Sequence, residues 1–216
     1  MKNYLSVSYL LLNKVLFFIV LAVMPFIYSC SKDNPVEPNY TNPDFFVYQC
    51  DNNKYGFKDR KTGEQVIECK YDDAEEFTEG LALVRVNGKY GFIDSKGKEV
   101  ISFKYDRCYP FSEGMAAVAS GYTTERKWGF IDKTGKEVIP LKYEDFYKDI
   151  PNKIFGFREG LVAVQSGKWG FVDKKENVVR PFIYDRAYYF KDGAAKVVFE
   201  GYTMCILKNG EQTPCD

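Results

Sequence analysis

Not one of the 216 residues is a histidine. That absence removes Ser-His-Asp and Cys-His nucleophile systems and every His-ligated zinc site. Net charge is absent too, because thirty basic side chains balance thirty acidic ones. The chain therefore lacks the basic stripe that a nucleic-acid partner requires, and none is expected. The charges are interspersed, with no block long enough to act as an interaction tail. No Cys-x-x-Cys pair and no Asp-x-Asp-x-Asp-Gly run occurs, so no metal or cofactor is expected. Beyond residue 44 no segment sustains a 3.6-residue apolar period, which excludes a helical domain. The chain is instead rich in aromatics, 17 Tyr and 18 Phe among them. With frequent β-branched residues, that is a strand-forming composition with material for a core.

The first thirty residues obey a different logic. Lys2 and Lys14 are the only charges up to residue 14, Val15 to Ile27 is apolar apart from Pro25, and polar sequence begins at Ser31. A charged start, an apolar run of ~7–15 residues and a small residue before the cut describe a secretory signal. Lys14 interrupts the run before it reaches the ~20 apolar residues of a spanning helix. Ile27-Tyr28-Ser29-Cys30 resembles a bacterial lipoprotein lipobox, with Tyr28 departing from the usual small residue. The resemblance implies a signal peptide over 1–29, acylation at Cys30 and membrane attachment through lipid, where more than one acyl chain gives a stable anchor. Residues 31–44 hold three prolines and few apolar groups, so 30–44 reads as lipidated cysteine plus tether. Lys32-Asp33 resembles part of the Lys-acid signal of surface lipoproteins of the Bacteroidetes type. The location expected is the cell envelope, at the outer membrane.

From residue 45 onward the sequence repeats. Four aromatic-Gly-Phe triplets, Tyr55-Gly56-Phe57, Tyr90-Gly91-Phe92, Trp128-Gly129-Phe130 and Trp169-Gly170-Phe171, are separated by 35, 38 and 41 residues. Each is followed by a tyrosine with an acid after it: Tyr71-Asp72, Tyr105-Asp106, Tyr143-Glu144 and Tyr184-Asp185. A Phe-x-acid-Gly motif follows, ending at Gly80, Gly114, Gly160 and Gly193. Three markers at matched spacing in four copies define a repeat, and a degenerate fifth copy near 203–210 has the character of a terminal cap.

Turn chemistry explains the unit. Leu81 to Val86 is a strand, Asn87-Gly88 is a strong two-residue hairpin signal, and Tyr90 to Asp94 returns antiparallel. Asp94 to Gly97 turns again into a third strand. The expected fold is all-β: a tandem array of about four and a half three-stranded antiparallel meanders over 45–216, solenoid-like or closed as a small propeller. A lone meander cannot bury its aromatics, whereas stacked neighbours can. The triplet glycine is expected to leave room on the sheet for a flat-lying aromatic.

Lys127 to Asp145, KWGFIDKTGKEVIPLKYED, together with the later Phe-x-acid-Gly, resembles the WG-repeat family. The resemblance covers about 46–216 and implies a β-repeat fold in a bacterial secreted or surface protein, without an assigned activity. Tyr replaces Trp in the first two copies, and eight extra residues lie between Tyr143 and Phe157.

The repeated acids at 72–73 and 144–145 sit where turns want Asp, whereas a catalytic pair occurs once. The chain is therefore expected to be a non-catalytic binding or scaffold module for a protein or glycan. A carbohydrate hydrolase and a purely structural spacer are the alternatives. Tyr55, Tyr90, Trp128, Trp169, Tyr71, Tyr105, Tyr143 and Tyr184, with Gly56, Gly91, Gly129 and Gly170, are expected to be structural. Departures from a repeat map to loops on a binding face. Tyr122 in the 120–126 loop, and Phe146 and Tyr147 in the 146–155 insertion, are thus the expected contacts. Besides Cys30, the odd set Cys50, Cys69, Cys108, Cys205 and Cys215 leaves at least one thiol unpaired.

Overall fold

The computed structural model describes residues 42–121, 125–149 and 154–215. The signal segment, Cys30 and Tyr122 lie outside the described residues. The described residues contain strands, turns, bends and irregular connections and no helix.

The strands form five meandering sheets in chain order. The first holds β1 (Phe45–Gln49), β2 (Tyr55–Asp59) and β3 (Gln65–Tyr71). The second adds a short leading strand: β4 (Asp73–Ala74), β5 (Ala82–Val86), β6 (Lys89–Ile93) and β7 (Glu99–Tyr105). The third repeats that plan with β8 (Arg107–Cys108), β9 (Ala116–Ser120), β10 (Lys127–Ile131) and β11 (Glu137–Tyr143). The fourth begins with β12 (Asp145–Phe146), is interrupted by a small hairpin of β13 (Lys148–Asp149) and β14 (Ile154–Phe155), and resumes with β15 (Leu161–Ser166), β16 (Lys168–Asp173) and β17 (Val178–Tyr184). The fifth consists of β18 (Arg186–Lys191), β19 (Ala194–Phe199), β20 (Tyr202–Leu207) and β21 (Gln212–Thr213). All pairings are antiparallel between neighbours, and no sheet closes into a barrel among the described residues.

The expected three-stranded meander is therefore four-stranded in every sheet but the first. The residues just after each Tyr-acid marker form a two-residue strand, or in the fifth sheet a longer one, that opens the next sheet. Asp73 and Ala74, for instance, pair with Arg85 and Val84.

Four buried clusters lie at the four junctions between consecutive sheets. Phe57, Ile67 and Tyr71 of the first sheet meet Phe77, Ala82, Val84 and Ile93 of the second. Leu83, Phe92 and Tyr105 meet Phe111, Val118 and Ile131. Trp128, Phe130 and Tyr143 meet Phe146, Phe157 and Val164. Phe171 and Tyr184 meet Phe190, Val197 and Ile206. Because alternate residues point to opposite faces, Ala82 and Val84 serve one junction while Leu81 and Leu83 serve the next. Burial on both faces is why Leu81-Ala82-Leu83-Val84 reads as a continuous apolar run rather than an alternating one.

Candidate functional site

The repeat-signature aromatics lie within or at the edge of the packed junctions. Tyr71, Tyr105, Tyr143 and Tyr184 are buried, as is Trp128, while Tyr55, Tyr90 and Trp169 are half-buried. Tyr71 donates its O–H to the Gly97 carbonyl at 3.5 Å, and Tyr143 donates to Glu176 at 3.4 Å, so each reaches a turn of the following sheet. Burial in the first place, with nearby carboxylates second, pushes both phenols up to about 12.

The triplet glycines answer to a backbone constraint more than to a ring. In the first four sheets the last strand bulges opposite the glycine: Tyr90 faces Tyr105 but Phe92 faces Ile101. The bulge brings a carbonyl so close that a Cβ on Gly91 or Gly129 would lie 2.5 Å from the oxygen of Ile101 or Ile139. At Gly91 and Gly170 an aromatic ring, of Phe103 and of Phe182, crowds the same space as the carbonyl.

The repeated acids form two relays. In the first, the acid after each tyrosine accepts from a hairpin glycine of the following sheet: Gly88 N–H to Asp72 at 3.3 Å, Gly121 to Asp106 at 2.9 Å, Gly167 to Glu144 at 3.2 Å and Gly201 to Asp185 at 3.1 Å. Lys54, Lys89 and Lys168 bind Asp72, Asp106 and Asp185 in addition. Those ammonium bonds, then the glycine N–H bonds, hold the three carboxyls below the usual range.

The second relay uses the Phe-x-acid-Gly turn. Glu79 and Gly80 have φ of 52° and 84°, the doubly left-handed geometry of a primed two-residue turn. Glutamate is a costly choice at positive φ, by ~1–2 kcal/mol, yet Glu113 and Glu159 repeat it. The reason is reach. Gly114 N–H donates to Glu79 at 2.9 Å, Gly160 to Glu113 at 2.9 Å and Gly193 to Glu159 at 3.1 Å. Lys133, Lys174 and Lys208 from the following sheet add ion pairs at 3.2, 3.3 and 3.4 Å. Asn42 starts this chain by accepting from Gly80 at 2.6 Å. Asp192, at the same left-handed position in the fifth sheet, ends it: among the described residues nothing bonds its carboxylate.

The departures from the repeat are less uniform. Phe146, an expected surface contact, is instead a core residue at 1% exposure, packed edge-on to Trp128 and Phe130. It lies three residues after its tyrosine, as do Ala74, Cys108 and Ala187, all on the leading strand of a sheet. The insertion proper starts at Tyr147. That residue is half-buried against Tyr188 and Tyr189, with ring centroids 5.3 and 5.6 Å away. At the far end of the insertion Phe155 stacks on Tyr109 at 4.9 Å.

Four clefts surround the insertion. A cleft of about 510 Å³ is bounded by Tyr147, Asp149, Tyr188, Tyr189, Asp192 and Lys196. Phe155 borders two more, of about 480 and 380 Å³, which share Glu75 and Pro110. Asp145 and Lys148 border a fourth of about 270 Å³ beside Trp128 and Arg126. No group of three or more Cys, Asp or Glu able to hold a metal ion occurs among the described residues.

The cysteines sort by position in the array. Cys50–Cys69 staples the first sheet and Cys205–Cys215 the fifth. Cys108 remains a free, buried thiol whose pKa burial raises well above the ordinary value.

Comparison with curated proteins finds no match. Among solved structures the chain is similar to Kluyveromyces lactis Hsv2, at 9% identity and a TM-score of 0.49, over 78% of this chain and 60% of that one. It thus spans less than two thirds of that structure's length. The family model for the WG containing repeat matches four tandem segments, residues 55–90, 90–121, 128–168 and 169–202. These segments cover most of the folded region and coincide with the four triplets, and the chain belongs to the family of proteins built from the WG containing repeat.

Proposed function

We propose that this chain is a non-catalytic binding module, exported and lipid-anchored in the bacterial cell envelope, that takes a protein or glycan ligand at its insertion. One observation carries the reading: the insertion and the residues just before it contribute to the walls of four clefts, the two most spacious among them, while a fifth of about 330 Å³ lies apart at Tyr71, Gly97 and Phe103. The recurrent acids favour binding over hydrolysis. Asp72, Asp106 and Asp185 are held ionised by lysine and N–H partners, while a general acid needs its pKa raised. The lipid anchor rests on Cys30 and its flanking sequence.

The test is a crosslinking pull-down from envelope extract with the full acylated chain, repeated with Tyr147→Ala and Phe155→Ser. Capture of a glycan or protein that both variants lose supports the reading. Capture unchanged by either variant overturns the assignment to the insertion. Turnover of a polysaccharide by the purified chain overturns the non-catalytic reading. Metabolic labelling with an alkyne fatty acid, absent from Cys30→Ala, tests the anchor.

A further inference from the structure

Among the described residues the fifth sheet has a neighbouring sheet on one face only, and the residues of the other face differ from those of the earlier sheets. Register makes the comparison direct. Leu161 and Ala163 of the fourth sheet, paired with Asp173 and Phe171, point at the fifth. Their counterparts Ala194 and Lys196, paired with Leu207 and Cys205, point away from that junction. Leu has become Ala, Ala has become Lys, and Phe has become a disulfide-bonded Cys. The face is hollowed and made polar, and it forms the floor of the cleft of about 510 Å³.

We propose that this face is a glycan-binding site for uncharged hexopyranose units, a deepening that rests on the binding-module reading above. The volume falls within the ~300–1,000 Å³ of small-molecule sites. Tyr147, brought in by the insertion, meets Tyr188 and Tyr189 from β18 to make an aromatic wall for the apolar C–H face of a pyranose. Asp149, Lys191, Asp192 and Lys196 form the rim, two charges of each sign. A sugar hydroxyl both donates and accepts, so it uses carboxylate and ammonium alike, while the balanced rim gives an ionic ligand no advantage. A protein's apolar anchor would meet the exposed Lys196 at this opening, which disfavours that occupant.

Asp192 supplies the independent observation. Glu79, Glu113 and Glu159 each bond a glycine N–H and pair with a lysine of the following sheet. Asp192 keeps the same left-handed backbone, at φ of 52°, and among the described residues no glycine N–H or lysine bonds its carboxylate. The turn places its carboxylate, an acceptor, at the wall of the cleft.

The test uses the full acylated chain in a polyoxyethylene detergent, which carries no sugar headgroup. Maltohexaose, cellohexaose and mannohexaose are titrated by calorimetry beside sialyllactose and a heparin hexasaccharide. Saturable binding of a neutral hexaose is expected, insensitive to 0.5 M salt, and weakened about tenfold by Tyr189→Ala and by Asp192→Asn. Asparagine tolerates the left-handed backbone, so the second variant keeps the fold and its melt should match wild type. Binding confined to the anionic sugars, or neutral binding equal in both variants, overturns the inference. So does a dimer that Asp192→Asn dissolves, since a second copy then fills the face. Absent sugar binding together with a protein partner that Tyr147→Ala loses overturns the glycan and keeps the binding module. Neither sugar nor partner overturns both.

Discussion

The interior sheets and the two terminal sheets solve the same problem by different means. An interior sheet is covered on both faces by its neighbours, and its acids reach across to the next turn. Among the described residues a terminal sheet has a neighbouring sheet on one face only, and it carries devices the interior sheets lack. Phe46 and Tyr48, on the face of the first sheet away from its neighbour, lie under Arg60 and Lys58 at 5.4 and 4.3 Å, so cations cover what a sheet would otherwise bury. Both disulfides are terminal as well. Cohesion in the middle of this array comes from neighbours on both faces, while at its ends one such junction is supplemented by bonds within the sheet.

The comparison is sharpened or broken by variants at matched positions. Trp128→Ala should cost about 3–5 kcal/mol, as large aromatic truncations in cores do, whereas Tyr48→Ala, half-buried on the end face, should cost under ~1 kcal/mol. Denaturant melts decide, and equal losses would erase the distinction between middle and end. Reduction should come next. Each terminal disulfide closes a loop, of 19 and 10 residues' separation, contributing about 3 kcal/mol in the loop-entropy account. Amide exchange after reduction should quicken in the first and fifth sheets and stay slow in the third.

Gly129→Ala should cost about 1–3 kcal/mol, since a carbonyl occupies the space of the new methyl. Its counterpart Met204 should accept Leu for under ~1.5 kcal/mol, because β21 ends at Thr213, opposite Cys205, and no bulge faces Met204. Chemical melts of the pair test whether the glycine answers to the bulge. Glu113→Gln, which strips charge from a working relay bond, should cost about 1 kcal/mol. Asp192→Asn, at the idle end of the relay, should stay within ~0.5 kcal/mol. The smallest contrast is invisible at neutral pH. Tyr71 and Tyr143 are raised to about 12 by burial, so the stability they lend is complete below about pH 10 and is lost as pH climbs towards 12. Alkaline melts should therefore lose the interior junctions they bridge, and a Tyr143→Phe chain should lose less.

The repeat and the hairpins were legible because each leaves a local signature: Asn-Gly at a turn, alternation along a strand, fixed spacing between copies. The leading strands were not, because two residues such as Asp73 and Ala74 have no period to detect. Phe146 shows a different failure. Its place after Tyr143 matches Ala74 and Cys108, but its size and the adjacent insertion disguised a core position as a loop. The relays were hidden because Glu79 and Gly114 lie 35 residues apart and meet only once two sheets are stacked. The aromatic cleft was half visible: Tyr147 stood out as part of the insertion, while Tyr188 and Tyr189 stood in regular strand sequence.

Sequence repeats and sheets are out of phase. The stretch from Tyr55 to the next triplet supplies β2 and β3 to one sheet and β4 and β5 to the following one. A gene duplication that copies one triplet-to-triplet unit therefore inserts a half-sheet at each joint, and each half finds its complement in the flanking copies. Arrays of this kind can lengthen by unequal crossing-over without exposing a raw strand edge. A chain stopped just before a triplet, by contrast, leaves its last sheet without the strands that the next copy would supply.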